Sequence, residues 1–361
     1  MIIIVPYEIK YEAQIQTLFE IPVAGTISLS LQRRPDSRTG ANIQTENPNV
    51  FITLLKEQDM VIGIFNIGTR SVYWNRKVVL MPYYCDLRIH PEYQNGMVFR
   101  KMLRFIHQRE LDLDHLPASS IVFSDNFKFI EMIKKRASGK LSELVPYYQK
   151  MTDIETFIFK STPKKFAAHG YFIRKATEKD IDMMAAFQEQ NQRELMLSIN
   201  YHDIRITPYY FAQKMEDYLL CFDDDQLVGV LGLWDTTSFK QTFIHSYNRW
   251  LRLIRPIYNF VASRMATFPQ LPKEGGKLNY ISIHSLVVSD RNPEVFKALL
   301  SFVTLDLSTT FMITLDKKDP LYPIMSKINP AMRKEGHYFL ITRSQEITKS
   351  MQWIPVDLPR I

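Results

Sequence analysis

A polar turn that leads directly into an amphipathic helix is the stretch of this sequence best suited to chemistry. The turn contains Gln94, Asn95 and Gly96, which are residue types that favour tight turns. Apolar side chains then recur with helical spacing at Val98, Phe99, Met102, Leu103, Phe105 and Ile106. The first turn of a helix leaves backbone N–H groups unpaired, and the helix dipole adds positive potential at the same end. The stretch therefore predicts a binding site for an anion such as a phosphate group.

The same stretch has a second copy later in the chain. Residues 94–106 align without gaps to residues 291–303, and the segment 59–64 resembles 225–230 in the same way. The identical pairs in the longer alignment are Asn95/Asn292, Val98/Val295, Phe99/Phe296, Leu103/Leu300 and Phe105/Phe302. At roughly 150 residues per domain, a chain of 361 residues is also expected to form about two domains. We therefore predict an N-terminal domain at 1–162 and a C-terminal domain at 170–361.

The composition is that of a globular protein in a reducing compartment. Of the 361 residues, 46% are hydrophobic and 23% are charged. Cys85 and Cys221 do not have the spacing of a disulfide framework or a zinc site, so no metal is predicted. No signal peptide or bilayer-spanning stretch is recognised, which predicts a cytoplasmic location. The net charge of +7 suits an anionic partner, but the basic residues are too scattered to favour nucleic acid.

The strands that precede the turn and helix, and must position them, are predicted to form an antiparallel meander. Strands are predicted at 50–56, 61–73 and 78–89, and the last of them delivers the chain to the turn. A loop without periodicity is predicted at 30–49. A strand at 171–175 and a helix at 181–192 then begin the same order again in the second half.

This order and one motif resemble the GCN5-related N-acetyltransferase (GNAT) superfamily. The motif is Asp-Leu-Arg-Ile-His-Pro-Glu-Tyr-Gln at 86–94, which is similar to the strand end and turn that precede the family's cofactor loop. The second half resembles the same fold at 171–181 and 224–235. The resemblance implies an α/β fold with two tandem GNAT-like domains, each a mostly antiparallel mixed sheet flanked by helices.

The resemblance also implies a binding site for acetyl-CoA or another acyl-coenzyme A (acyl-CoA). The strand that bonds the pantetheine arm in this family corresponds to Leu87, Arg88 and Ile89. The loop that cradles the pyrophosphate corresponds to Gln94, Asn95, Gly96, Met97, Val98, Phe99 and Arg100. Asn126 is expected either to bond the cofactor or to cap its helix.

The cofactor loop departs from the family pattern in both halves. Met97 and Phe99 stand where the family has glycines, which let the backbone approach the phosphates closely. In the second copy these positions hold Glu294 and Phe296, and a carboxylate would repel phosphate. We therefore expect the first half to hold the cofactor and the second to be degenerate.

Acyl transfer to an amine needs a group that accepts the amine proton and a group that protonates the leaving thiolate. Asp86 is the candidate base, and the alternative is a strand carboxylate that is solvated or paired with Arg88. The tyrosine acid of the family falls on Ile133, so the usual acid is missing. Tyr83, Tyr84 and Tyr93 are the candidate replacements, with Tyr84 preferred, and the alternative is that these tyrosines are packing residues.

These features predict an acyl-CoA-dependent N-acyltransferase, with acetyl as the expected acyl group and a small-molecule or peptide amine as acceptor. One alternative is a catalytically degenerate GNAT-fold protein that binds a ligand or partner. The other is an acyltransferase whose donor is an acyl-carrier protein or an aminoacyl-tRNA.

A helical insertion is predicted at about 240–275, where the two halves diverge. One face of this helix is predicted to carry Trp250, Leu253, Ile254, Ile257, Tyr258 and Val261, flanked by Arg249, Arg252 and Arg255. Pro256 is expected to kink or break the helix. The helix is expected to pack on its own domain, and the alternatives are a lid over an acyl chain, a membrane-surface helix or a dock for an acidic carrier.

Overall fold

A computed structural model of the chain describes residues 2–22, 27–43, 50–94, 96–111, 116–134, 145–160, 170–200, 214–265, 269–304, 309–328, 330, 332–343 and 353–358. The strands are β1 Ile3–Pro6, β2 Ile27–Arg33, β3 Val50–Lys56, β4 Met60–Trp74, β5 Lys77–Ile89, β6 Ala118–Phe123, β7 Tyr147–Phe159, β8 Tyr171–Lys175, β9 Tyr218–Asp223, β10 Gln226–Trp234, β11 Lys240–Tyr247, β12 Ile281–Val288, β13 Phe311–Asp316 and β14 Met332–Thr342. The helices are α1 Glu12–Glu20, α2 Ser37–Asn42, α3 Met97–Leu111, α4 Phe127–Lys134, α5 Ile181–Gln192, α6 Arg249–Arg264, α7 Pro293–Val303 and α8 Tyr322–Ser326.

A single 12-stranded sheet contains most of these strands, and its two ends repeat each other. The strand order is β1-β3-β4-β5-β6-β14-β7-β13-β12-β10-β9-β8. The last of the described strands, β14, pairs with β6 of the first half, and β7 pairs with β13 of the second half. Each half is therefore completed by a strand from the other, and β7 and β14 pair antiparallel between them. The domain boundaries near 162 and 170 stay a prediction, because residues 161–169 lie outside the described residues.

The two faces of the sheet bury alternate residues of the same strands against different helices. In β3, Leu54 packs with residues of α3 on one face, and Leu55 packs with residues of α1 on the other. In β9, Cys221 faces α7 and Leu220 faces α5 in the same way. This alternation follows from the two-residue period of a strand, and each fully buried leucine stabilises the fold by about 1.5–3 kcal/mol.

A two-stranded ribbon links the two halves on one side of the sheet. In it, β2 of the first half pairs antiparallel with β11 of the second. The loop predicted at 30–49 is therefore wrong for its first part, since β2 extends to Arg33 and α2 follows. The insertion at 240–275 contains the predicted helix, α6, but begins with a strand. That helix is not broken at Pro256.

Close packing at Gly40 holds α2 against the end of the ribbon, where β2 ends and β11 begins. A Cβ atom at Gly40 would lie 2.8 Å from the carbonyl oxygens of both Arg34 and Phe239. The N–H of Arg34 also donates to the Phe239 carbonyl at 2.9 Å. Because backbone atoms cannot move aside as a flexible side chain can, only glycine fits at this position. The close approach directs Arg33 inward, toward β4 and β5.

None of the helices in the described part of the chain is both long enough and apolar enough to cross a lipid bilayer.

Candidate active site

A bulge interrupts β5 within the motif that resembles the GNAT family. Ile64 of β4 pairs with Arg88, whereas Asn66 pairs with Cys85. Asp86 and Leu87 therefore lie opposite the single residue Phe65. Asp86 has a φ of 52°, a left-handed conformation that residues other than glycine adopt rarely. A strained backbone at a bulge is a feature that proteins concentrate at functional sites.

The strand next to this bulge diverges from β5 and leaves an opening. Tyr83 and Ser119 form the one parallel ladder pair recorded between β5 and β6 in the described residues. Ser120 then donates its Oγ–H to the Tyr84 carbonyl at 2.9 Å. Beyond that point, residues 85–89 of β5 have a backbone edge on this side that β6 does not cover. Such an edge can donate to and accept from an extended amide-containing ligand.

The predicted phosphate loop lies at the end of β5 and leads into α3. Gln94 turns back and donates its Nε2–H to the Ile89 carbonyl at 3.0 Å. Gly96 has a φ of 83° and its carbonyl accepts from the Arg100 N–H at 2.9 Å, so the turn passes directly into the helix. Asn95 lies outside the described residues.

The side chains of the first turn of α3 point in different directions. Met97 is 62% exposed, Arg100 is also exposed, Val98 is buried, and Phe99 is half-buried in the core beside it. The buried Val98 side chain cannot reach a ligand in the loop, so a role for this residue is limited to its backbone N–H. The exposed side of the turn presents one cationic side chain, Arg100, where a phosphate is expected.

Asn126 begins the turn into α4 and has an exposed side chain. Its carbonyl accepts from the Ile130 N–H at 3.1 Å. No hydrogen bond from the Asn126 side chain to another described residue is found, so the side-chain cap that was one alternative is not seen. The side chain is open to a ligand, and a cofactor contact stays a prediction.

The candidate base Asp86 is held by residues from two neighbouring strands. Arg33, at the end of β2, donates Nη2–H to Asp86 Oδ2 at 2.7 Å, and Asn66 of β4 donates Nδ2–H to the same oxygen at 3.2 Å. The side chains of Arg33 and Asp86 are only 3% and 10% exposed. Among the described residues, none donates to Oδ1. One carboxylate oxygen is thus anchored and the other is available.

Two further residues of the predicted site, Arg88 and Tyr84, make contacts that stabilise the fold. Arg88 does not pair with Asp86 and donates instead to the Ile21 carbonyl at 3.2 Å, while burial lowers the pKa of its guanidinium. Tyr84 is 7% exposed and packs edge-to-face against Phe65 in the core. The structure thus places Tyr84 as a packing residue, and its role as an acid stays a prediction.

Lys240 contributes a second titratable group to the surroundings of Asp86. It is the first residue of β11 and pairs in the ribbon with Arg33. Burial, together with the charge of Arg33, lowers the pKa of the Lys240 ammonium to about 8. Burial and the Asp86 carboxylate raise the pKa of the neighbouring Cys85 thiol to about 12, which argues against a thiolate nucleophile. The Asp86 carboxylate of β5 and the Lys240 amine of β11, whose basicity is lowered, are therefore neighbours on the side of β5 that faces the ribbon.

We expect the lysine to make stability depend on pH. The pKa of about 8 in the folded chain is below the usual 10.5, so the folded state releases the proton first as the pH rises. Relative to a Lys240→Met variant, the native protein should gain on the order of 1–2 kcal/mol of unfolding free energy between about pH 8 and 10. Denaturant unfolding of both proteins at the two pH values measures this gain. A constant difference between the proteins would show that Lys240 titrates normally.

The second half contains a matching bulge and opening, but its own C-terminal segment occupies them. Ser285 of β12 has a φ of 49° and lies at a shift in the β10–β12 register. Its N–H donates to Asp357 Oδ2 at 3.0 Å. A cavity of about 20 Å³ remains beside His284, Ser285 and Asp357. That volume suits one water molecule and not an acyl chain. The first half is therefore the better candidate for a ligand site.

The sequence prediction did not include Arg33, Asn66 or Lys240 in the site. The motif at 86–94 is local and visible in the sequence, whereas the three missed residues come from other strands. Arg33 lies in the segment predicted as a loop, and Lys240 lies in the segment predicted as helical. One sequence signal could have found Arg33: the alternation of Ile27, Leu29 and Leu31 predicts a strand that ends at this arginine.

No family model matches this sequence, and no curated protein matches it. Solved structures do match its fold. Saccharomyces cerevisiae N-myristoyltransferase with bound myristoyl-CoA aligns over 99% of this chain and 89% of its own, with 9% identity and a TM-score of 0.61. A GCN5-related N-acetyltransferase from Sphaerobacter thermophilus aligns over 97% and 98%, with 10% identity and a TM-score of 0.59. A second such protein, from Anabaena variabilis, aligns over 95% and 73%, with 12% identity and a TM-score of 0.51.

These likenesses establish the fold of the chain. It is the fold of the GCN5-related N-acetyltransferase superfamily, which confirms the resemblance and the predicted α/β class with two GNAT-like units. At identities of 9–12% the likenesses carry no information about individual site residues.

Proposed function

We propose that this protein is an acyl-CoA-dependent N-acyltransferase whose active site lies in the first half. The bulge at Asp86 and Leu87, beside the opening between β5 and β6, is the observation that carries the proposal. It combines an uncovered backbone edge, a helix N-terminus and a carboxylate within one short segment. Acyl transfer from a thioester to an amine needs groups of these kinds close together.

In the proposed reaction, the uncovered edge of residues 87–89 bonds the pantetheine arm, and the first turn of α3 with Arg100 binds the pyrophosphate. Asp86 Oδ1 accepts a proton from the acceptor amine. The amine nitrogen forms a bond to the thioester carbon as the carbon–sulfur bond breaks. The thiolate leaves and is protonated, and an ordinary thiol pKa near 8.5 means that this step needs little help from the protein.

The acyl donor and the amine acceptor have to be identified by experiment. Two kinds of neighbour support different donors, since N-acetyltransferases share the fold and the yeast N-myristoyltransferase structure contains myristoyl-CoA. Acetyl-CoA and myristoyl-CoA are therefore both titrated into the pure protein by calorimetry. Thiol release is then followed with a panel of amines and N-terminal peptides.

The outcomes of this experiment separate the three hypotheses. Binding of an acyl-CoA together with amine-dependent thiol release supports the proposal. Binding without release for any amine supports the degenerate, ligand-binding protein, which the Met97 and Phe99 side chains at the loop positions favour. The absence of acyl-CoA binding contradicts the proposal and leaves a donor other than free acyl-CoA.

Reversing one charge at the start of α3 tests where the cofactor binds. Arg100 is exposed in the first helical turn, so Arg100→Glu should weaken acyl-CoA binding about tenfold or more by repelling the phosphates. Arg104→Glu is the matched control, since Arg104 is also exposed and lies one turn further along the same helix. Calorimetry with each variant measures the two effects. Equal losses in both variants would point to net charge rather than to a phosphate site at the turn.

A further inference from the structure

Helix α6 has its polar side turned toward the protein and its apolar side turned toward solvent. Its 16 residues begin at Arg249 and end at Arg264. The residues that we call the outer face are all large, apolar and exposed: Trp250, Leu253, Ile257, Phe260, Val261 and Met265. The one buried residue of the helix is Ala262. The prediction that this stripe packs on its own domain is therefore wrong.

Hydrogen bonds on the opposite side hold the helix in this orientation. Asn259 both donates to the Leu271 carbonyl and accepts from the Leu271 N–H, each at 2.8 Å. Tyr258 donates its hydroxyl to the Pro269 carbonyl at 3.0 Å, and Arg252 pairs with Glu274 at 2.9 Å. Rolling the outer face inward would break all of these contacts. The exposure of the apolar stripe is thus built into the packing of the helix.

The outer face is too large and too exposed to be an ordinary surface feature. Trp250, Leu253, Ile257 and Phe260 are 68%, 71%, 68% and 60% exposed. Single exposed apolar residues are normal, but a contiguous stripe of this kind marks a surface that something covers. The charged residues beside the stripe indicate what kind of partner binds to it.

The segment that contains the helix and its neighbouring strand has a net charge almost as large as that of the whole chain. Residues 240–280 contain seven lysines and arginines and a single acidic residue, Glu274, a net charge of +6 in a chain whose total is +7. Helix α6 itself contains arginine but no Asp or Glu. Arg264 lies against the outer face, with its guanidinium 3.6 Å from the centre of the Phe260 ring. An occupant of this surface must therefore be both apolar and anionic.

We propose that α6 binds the surface of an anionic lipid bilayer. The helix would lie in the plane of the membrane, with the outer face at the boundary between headgroups and acyl chains and the arginines at the headgroup phosphates. A helix of 16 residues is about 24 Å long, which suits this position and is too short to span the hydrocarbon core. A second copy of the chain is a poor occupant, because two surfaces of charge +6 would face each other. The inference does not rest on the proposed enzymatic function.

Vesicle sedimentation tests the inference directly. The full chain is mixed with vesicles of phosphatidylcholine alone and with vesicles that also contain phosphatidylglycerol. We expect binding to the anionic vesicles to be at least about tenfold stronger and to weaken as salt is added. A blue shift of tryptophan fluorescence that Trp250→Phe removes would place α6 at the lipid.

A pair of double variants separates the helix from net charge. Leu253→Glu with Ile257→Glu should lower the partition coefficient by about tenfold or more. Val78→Glu with Leu80→Glu adds the same charge at two residues of β5 that are 51% and 56% exposed, and should change binding far less. Both variants should keep the native melting temperature, because all four side chains are exposed. Absence of vesicle binding, equal loss in both variants, or an α6-dependent dimer that does not bind vesicles would each overturn the proposal.

Discussion

Replacing Asp86 with asparagine should lower kcat by about 10²- to 10³-fold while leaving acyl-CoA affinity close to that of the native protein. The carboxylate is positioned for this role, because Arg33 and Asn66 hold Oδ2 and leave Oδ1 available. Asparagine has nearly the same shape but its amide is a far poorer proton acceptor. Steady-state thiol release and calorimetry on the same preparation measure the two quantities.

Asp180→Asn is the matched control for this substitution. Asp180 is 8% exposed on its side chain and pairs with Arg174 at 2.6 Å, so it resembles Asp86 in burial and charge but lies in the second half of the chain. Its substitution should cost stability without lowering kcat. If Asp86→Asn keeps full activity and Lys240→Met loses it, the proton acceptor is Lys240 and the assignment of Asp86 is wrong.

Removing the guanidinium that holds Asp86 should have the largest effect on stability. Arg33→Met is expected to lower the free energy of unfolding by about 3–5 kcal/mol, because it leaves a nearly buried carboxylate without its cation. The substitution also removes a hydrogen bond of 3.0 Å from Arg33 to the Gly40 carbonyl. Arg76→Met provides the comparison, since Arg76 pairs with Glu194 with 71% and 58% of the side chains exposed. That variant should lose less than about 1 kcal/mol.

A double variant distinguishes an ion-pair effect from a loss of packing. Arg33→Met combined with Asp86→Asn removes both charges, and asparagine tolerates the left-handed backbone of position 86, so the double variant should recover much of the stability that Arg33→Met alone loses. Denaturant unfolding followed by tryptophan fluorescence measures the four proteins of the cycle. If the effects of the two single substitutions simply add, the pair contributes no coupling and the explanation fails.

The parts of the fold that could be predicted from sequence are those set by local patterns. The meander of β3, β4 and β5 follows from alternating apolar residues separated by short turns, and α3 follows from apolar spacing after a polar turn. The repeat of 94–106 at 291–303 likewise corresponds to α3 and α7, which occupy matching positions in the two halves. The motif at 86–94 falls on the bulge and on the turn that follows it.

The parts that could not be predicted depend on contacts between distant segments. Nothing near Arg33 or Lys240 in the sequence indicates that β2 and β11 pair, yet this pairing brings both residues to Asp86. Helix α6 illustrates a different limit. Its pattern predicts an apolar stripe, but Ile254 and Tyr258, which that stripe includes, are half-buried. The pattern also cannot decide which face is turned inward, since that depends on hydrogen bonds to residues 269–274.

The exchange of β7 and β14 has a consequence for synthesis on the ribosome. When the first half has emerged, β6 still lacks the neighbour that closes its sheet, because that neighbour, β14, is translated after every other strand of the described residues. Until β14 is made, the nascent first half therefore has an unpaired strand edge, and such edges promote aggregation between chains. Truncations before β14 should fail as soluble proteins for this reason, and the two halves should unfold as one unit although they repeat each other in sequence.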